Sequence, residues 1–222
     1  MGPEGRGDEF GEALAELRRS GSALLVAGAV PDRLHGRTCD ELLGTGTDER
    51  LFVRASTGPG SAIEPGITDR VLELDAASRG AATAGASASG PGDVASESRD
   101  GVVGVGPTLA AAGDAFEAEL AALDTAAGQG PRVCVDSVLP LVETAGEEQA
   151  FRFLHLLTSR VRQLGGTCHL HLPLGADSET ARTFAALVDA TVELRLTDDR
   201  PEQRWHIHGA DVRSDWLSLP GE

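Results

Sequence analysis

The sequence predicts a three-layer α/β sandwich built on a mainly parallel sheet that ends in an antiparallel hairpin. Three observations carry this expectation. Apolar runs of strand length alternate with segments of helical periodicity, which implies right-handed βαβ crossovers. Residues 22–28 (SALLVAG) are continuously apolar, as suits a strand covered on both faces. Near the end, Asp198-Asp199-Arg200-Pro201 forms a turn between two strand-like segments. The 222 residues fit one large domain, able to bury a sizeable core without cross-links.

In chain order, residues 8–19 read as an amphipathic helix with Phe10, Leu14 and Leu17 at helical spacing. After the strand at 22–28, residues 31–43 are helical, opened by Pro31-Asp32 and closed by Gly44. Strands are expected at 51–55 and 71–74. From 76 to 100 the chain is Ala, Gly and Ser with scattered charges, too poor in large apolar side chains to offset the entropy of ordering. It is expected to be a flexible loop within a single domain spanning 1–222, because the α/β rhythm resumes after it. A short strand at 102–105, a helix at 109–127 and a buried strand at 132–136 follow. The longest expected helix covers 146–164, with Phe151, Leu154, Leu157, Val161 and Leu164 as its inner stripe. A strand at 167–172, a helix at 178–188, a strand at 191–196 and its hairpin partner at 204–207 complete the series.

Nineteen basic residues stand against thirty-five acidic ones, for a net charge of −16, and every basic residue is arginine. Such a surface repels nucleic acid phosphates and anionic lipid, so neither is an expected partner. At molar salt the Debye length falls to about 3 Å and self-repulsion largely vanishes, so the composition reads as adaptation to a salt-rich cytoplasm. The longest apolar run, 23–30, is too short to span a bilayer, and the first residues lack the apolar core of a signal peptide. Cys39, Cys134 and Cys168 have no CxxC spacing and sit in apolar or helical settings, as buried thiols of a reducing compartment do.

The order of features resembles the RecA/KaiC-type P-loop ATPases. Leu24-Leu-Val-Ala-Gly28 is an apolar strand ending in glycine, and Val133-Cys-Val-Asp136-Ser137 looks like a Walker B strand followed by serine. After a long helix, Gly165-Gly-Thr-Cys-His-Leu-His-Leu172 is similar to the next core strand of that family. The segments at 188–194 and 204–207 are similar to its terminal hairpin. The chain also resembles haloarchaeal proteins called HTR-like, through Val30-Pro31-Asp32, Phe151-Arg-Phe-Leu-His155 and Gln203-Arg-Trp-His206. The resemblance covers most of the chain outside 76–100.

The chemistry of that family is not matched. A phosphate-binding loop needs glycines that free backbone N–H groups, a lysine for the β and γ oxygens, and a hydroxyl for Mg²⁺. After Gly28 this chain has Ala-Val-Pro-Asp-Arg-Leu-His-Gly-Arg-Thr. Pro31 has no N–H, Asp32 places a negative charge at the phosphate seat, and helical periodicity puts Gly36 inside the helix. Where the resemblance implies water-activating glutamates after the second strand, Ser56 and Thr57 stand, and the first carboxylate is Glu64. Gly28, Asp136 and Ser137 are the candidate remnants of a ligand-binding edge. For Asp136 the competing role is structural, capping the next turn. No catalytic residue is assigned.

His169 and His171 share one strand face, and His206 and His208 share another. Were those strands neighbours, the four imidazoles would suit zinc. Yet no carboxylate or cysteine shares those faces at ligand spacing, since Cys168 points the other way, so packing or surface histidines and no metal are expected. Trp216 is expected to anchor the C-terminal tail.

The function these residues favour is that of a non-catalytic, regulatory or scaffold protein acting through an unidentified protein partner. It is expected to need no cofactor, and homo-oligomerisation stays open. The alternative is a noncanonical nucleotide binder holding ATP and Mg²⁺ with weak or no hydrolysis. A metal-dependent enzyme at the histidine strands is the third class.

Overall fold

A computed structural model describes residues 3–44, 49–55, 63, 65–66, 69–74, 102–105, 109–123 and 130–219. Helix α1 (Pro3–Ser20) leads into β1 (Ser22–Ala27), α2 (Asp32–Leu43), β2 (Arg50–Arg54), β3 (Arg70–Leu74) and β4 (Val102–Val105). Then come α3 (Leu109–Ala122), β5 (Arg132–Val135), α4 (Leu139–Ala145), α5 (Glu147–Gln163), β6 (Thr167–Leu172) and α6 (Glu179–Ala185). The last elements are β7 (Ala190–Thr197), β8 (Arg200–Ile207), β9 (Val212–Arg213) and β10 (Leu217–Ser218). The expected loop at 76–100 lies outside the described residues.

One sheet runs in the order β10-β8-β7-β1-β6-β5-β2-β3-β4, with β9 paired to β8. Every pairing from β7 through β1, β6, β5, β2 and β3 to β4 is parallel. The chain then doubles back through antiparallel β8, which also pairs with β9 and β10. The α/β sandwich with a C-terminal hairpin therefore stands as the sequence predicts, and β5 lies inside the sheet.

The layers follow from the period of two along each strand. One set of strand residues, including Leu25, Leu51, Leu72, Val133 and Leu170, packs against α3, α4, α5 and α6. The alternate set meets α1 and α2: Leu24, Ala190 and Ile207 lie under Phe10, Leu14 and Leu17, while Phe52, Val71 and Cys134 lie under Cys39 and Leu43. All six residues of β1 are buried because helices cover both of its faces.

Several details depart from expectation. The long helix forms as expected, as α5, but a short helix that the sequence did not suggest, α4, precedes it; Gly146 at φ +84°, a left-handed conformation, ends α4 and re-aims the chain into α5. On α5 the buried stripe is Ala150, Phe153, Leu154, Leu157 and Val161, whereas Leu164 lies beyond the helix and is exposed. Strand β8 begins at Arg200, earlier than expected, since Asp198 and Asp199 (φ 49° and 60°) turn the hairpin in two residues. Trp216 is half-buried in the sheet-edge tail, beneath the guanidinium groups of Arg195 (3.7 Å) and Arg204 (4.5 Å).

Candidate functional site

The carboxyl ends of β1, β5 and β6 open into a cavity of about 290 Å³, lined among others by Asp32, Asp136, Ser137 and Glu143. Open α/β sheets characteristically bind ligands at this edge. Asp136 and Ser137 are thus at the cavity, but Asp136 also has a structural task. Its Oδ1 accepts from the N–H of Ala55 (3.3 Å), and its own N–H donates to Val53 O (3.1 Å), tying the end of β5 to β2. Gly28 does not line the cavity. A Cβ there would sit 2.6 Å from Leu194 O, so glycine is required by the close approach of β7 rather than by a phosphate. Asp32 occupies the first turn of α2, and no arginine lines the cavity among the described residues.

His35 and His171 also line this cavity and belong to a second group of residues that continues inward from it. On α2, His35 and Cys39 are one turn apart and therefore share the face that lies on β5 and β6. On the sheet, Cys134 of β5 stands in register with His169 of β6, and His171 follows on the same side of its strand. All five side chains are buried. Cys39 Sγ lies 3.3 Å from Cys134 Sγ and 3.2 Å from His169 Nε2. One ligand atom from each of Cys39, Cys134, His169 and His171 falls within 4.8 Å of all the others.

The hydrogen bonds fix the tautomers of the two remaining rings. His35 Nε2 lies 3.0 Å from Gly28 O and must donate to that carbonyl. Its Nδ1, 3.2 Å from His171 Nδ1, is then an acceptor, and His171 donates. His171 Nε2 consequently carries a lone pair, is buried and has no hydrogen-bond partner. Burial pulls His171 down to about 4 and moves His35 in the same direction, so both rings are neutral at pH 7. The thiols divide. The hydrogen bond with Cys134 draws Cys39 far below a thiol's ordinary value, whereas burial drives Cys134 well above it. Of the two, Cys39 is the thiol that gives up its proton more readily.

This arrangement corrects the expectation that no cysteine meets the histidine faces. Cys168 does point away, into the core under α5, but Cys39 and Cys134 arrive from other elements. The four-histidine grouping does not form, because β7 and β1 separate β6 from β8. His206 instead pairs with Asp211 (3.0 Å), and His208 bonds Val188 O and Thr191 Oγ1 (both 3.0 Å). The sequence signal for the missed residues was the His35–Cys39 spacing of one helical turn.

Residues 21–194 match the family of unknown function DUF7504. The chain belongs to that family. The DUF7504 match runs from the residue before β1 into β7, so it includes all five buried Cys and His side chains. Among solved structures, an uncharacterized protein of Pyrococcus horikoshii, PH0321, crystallised in complex with an unknown peptide, is similar in fold. The TM-score is 0.50 at 11% identity, covering 93% of this chain and 98% of that one. No curated protein matches. Among the described residues, no helix is long and apolar enough to cross a membrane.

Proposed function

We propose that this DUF7504 chain is a degenerate RecA/KaiC-like domain of the HTR-like kind, acting in the cytoplasm of a salt-adapted archaeon as a non-catalytic regulatory or scaffold protein. One observation carries the reading. Asp32, Asp136 and Glu143 face the cavity at the sheet's carboxyl edge, with no cation lining it among the described residues. Phosphoryl transfer is catalysed by positioning and by positive charge around the transferring group, and three carboxylates supply the opposite field. Protein contact is the mode of action we favour, and the peptide bound to PH0321 makes a peptide segment the partner class to try first.

A second reading, a nucleotide or other small molecule held without hydrolysis, is favoured by the cavity's size, which lies near the lower bound of about 300 Å³ for ligand pockets. Thermal melting in molar salt with and without ATP-Mg²⁺ separates the two, since a ligand of the folded state raises Tm by mass action. The expected result is an unchanged Tm and no phosphate release. Turnover near about 1 per second, abolished by Asp136→Ala, would overturn the proposal. The salt-adapted part is tested by circular dichroism. Structure should be lost on transfer from molar to millimolar salt, because the net charge of −16 is then poorly screened.

A further inference from the structure

We propose that Cys39, Cys134, His169 and His171 bind a single transition-metal ion of the zinc class, closing α2 onto β5 and β6. The proposal does not rest on the pseudo-ATPase reading: His171 and His35 border the edge cavity, but the site involves no nucleotide chemistry.

The donor set is the first argument. Two cysteines and two histidines form one of the usual ligand sets of structural zinc, which takes four ligands in a tetrahedron. Bonds of about 2.3 Å to sulfur and about 2.0 Å to nitrogen place neighbouring donor atoms roughly 3.5 Å apart. The observed Sγ–Sγ separation of 3.3 Å and the Sγ–Nε2 separation of 3.2 Å are already of that size. The widest separation in the group, at most 4.8 Å, needs only a small contraction.

Charge is the second argument. A divalent ion with two thiolates and two neutral imidazoles sums to zero, which suits a site without solvent. Binding releases the thiol protons of the cysteine pair to solvent and changes no oxidation state.

The unpartnered atom is the third and most specific. His171 Nε2 is buried without a hydrogen bond, although leaving a buried acceptor unmatched is costly. Its opposite nitrogen, Nδ1, donates to His35, which in turn donates to Gly28 O. Metal-ligating histidines are held in this way, the far N–H being fixed by an outer partner that sets tautomer and ring direction. His35 is accordingly a positioning residue for His171 and not itself a ligand.

The test is titration of the reduced full-length protein with Co²⁺ in molar salt, followed by displacement with Zn²⁺. One Co²⁺ per chain is expected, with thiolate-to-cobalt charge-transfer bands and the intense visible absorption of tetrahedral coordination, both erased by Zn²⁺. Cys39→Ser and Cys134→Ser should each abolish the charge-transfer signature or reduce it by about half. Cys168→Ser and His206→Ala should leave it intact. His35→Gln should weaken affinity by about 10–100-fold while keeping the same spectrum, as loss of an outer-shell partner does. If a cysteine variant fails to fold, the parent's own spectrum and stoichiometry still decide. Absence of stoichiometric Co²⁺ binding by the reduced parent would overturn the proposal, as would a charge-transfer signature left undiminished by either cysteine substitution.

Discussion

The two faces of the central sheet are built from different materials. Under α3, α4, α5 and α6 the strands present Leu, Val and Ala almost without exception, and Phe116, Leu154, Leu157 and Phe184 fill the space between. Under α2, the alternate residues of β5 and β6 are Cys134, His169 and His171, and the helix answers with His35 and Cys39. Adjacent residues of one strand thus serve opposite tasks: Cys168 is packing for one face, and His169 is chemistry for the other. The aliphatic face needs only matching volume, because dispersion and water exclusion are non-directional. The other face depends on proton positions and lone pairs, so its stability is conditional on what fills it.

The largest expected effect lies on the aliphatic face. Phe116→Ala should cost about 3–5 kcal/mol in denaturant unfolding, with or without Zn²⁺, because the lost packing is independent of any ion. A loss that depended on metal would show that the two faces are coupled through the sheet. Next, free Zn²⁺ at about one hundred times Kd should stabilise the parent by about 2.7 kcal/mol relative to chelator, and His169→Ala should remove that difference. Persistence of the zinc increment in His169→Ala would place the ion elsewhere.

Cys168→Ser sharpens the contrast at a smaller scale. It buries a hydroxyl in an apolar layer, so a loss of about 1–3 kcal/mol is expected with the zinc increment unchanged. Burial pushes that thiol up to about 12, which marks how dry its surroundings are. The smallest effect concerns His208, outside both faces, at the β7–β8 hairpin. Burial lowers its folded value below the ordinary 6.5, so the unfolded chain takes up the proton first as pH falls. Its contribution to stability is therefore complete above pH 6.5 and declines as pH falls through the folded value. An NMR titration should find His208 below 6.5, and a midpoint above that would contradict the burial seen here.

The fold was legible where composition decides locally. The apolar runs in β1 and β5 mark strands covered on both sides, and period-two parity put His169 and His171 on one face. Helix α4 was not, because its seven residues, 139–145, are too short for a helical period to show. The site was half legible. Whether a cysteine faces the two histidines depends on β5 lying beside β6 and α2 lying above both, and neither fact is contained in the spacing along a single strand. Tertiary order supplied Cys134, and the helical turn from His35 to Cys39 became meaningful only once α2 had a floor.

The middle position of β1 also constrains how the chain is made. Its register partners begin at Thr167 on one side and Ala190 on the other, so the strand leaves the ribosome long before either exists. At about 5–20 residues per second of translation, the wait is on the order of ten seconds. Throughout it, an uncharged and largely apolar run of six residues lacks both of its neighbours. The β7–β8 hairpin, closed locally by Asp198 and Asp199, can form as soon as it is synthesised and offer β1 a ready-made edge. Vectorial synthesis therefore makes the late β7–β8 hairpin a template for the early strand β1.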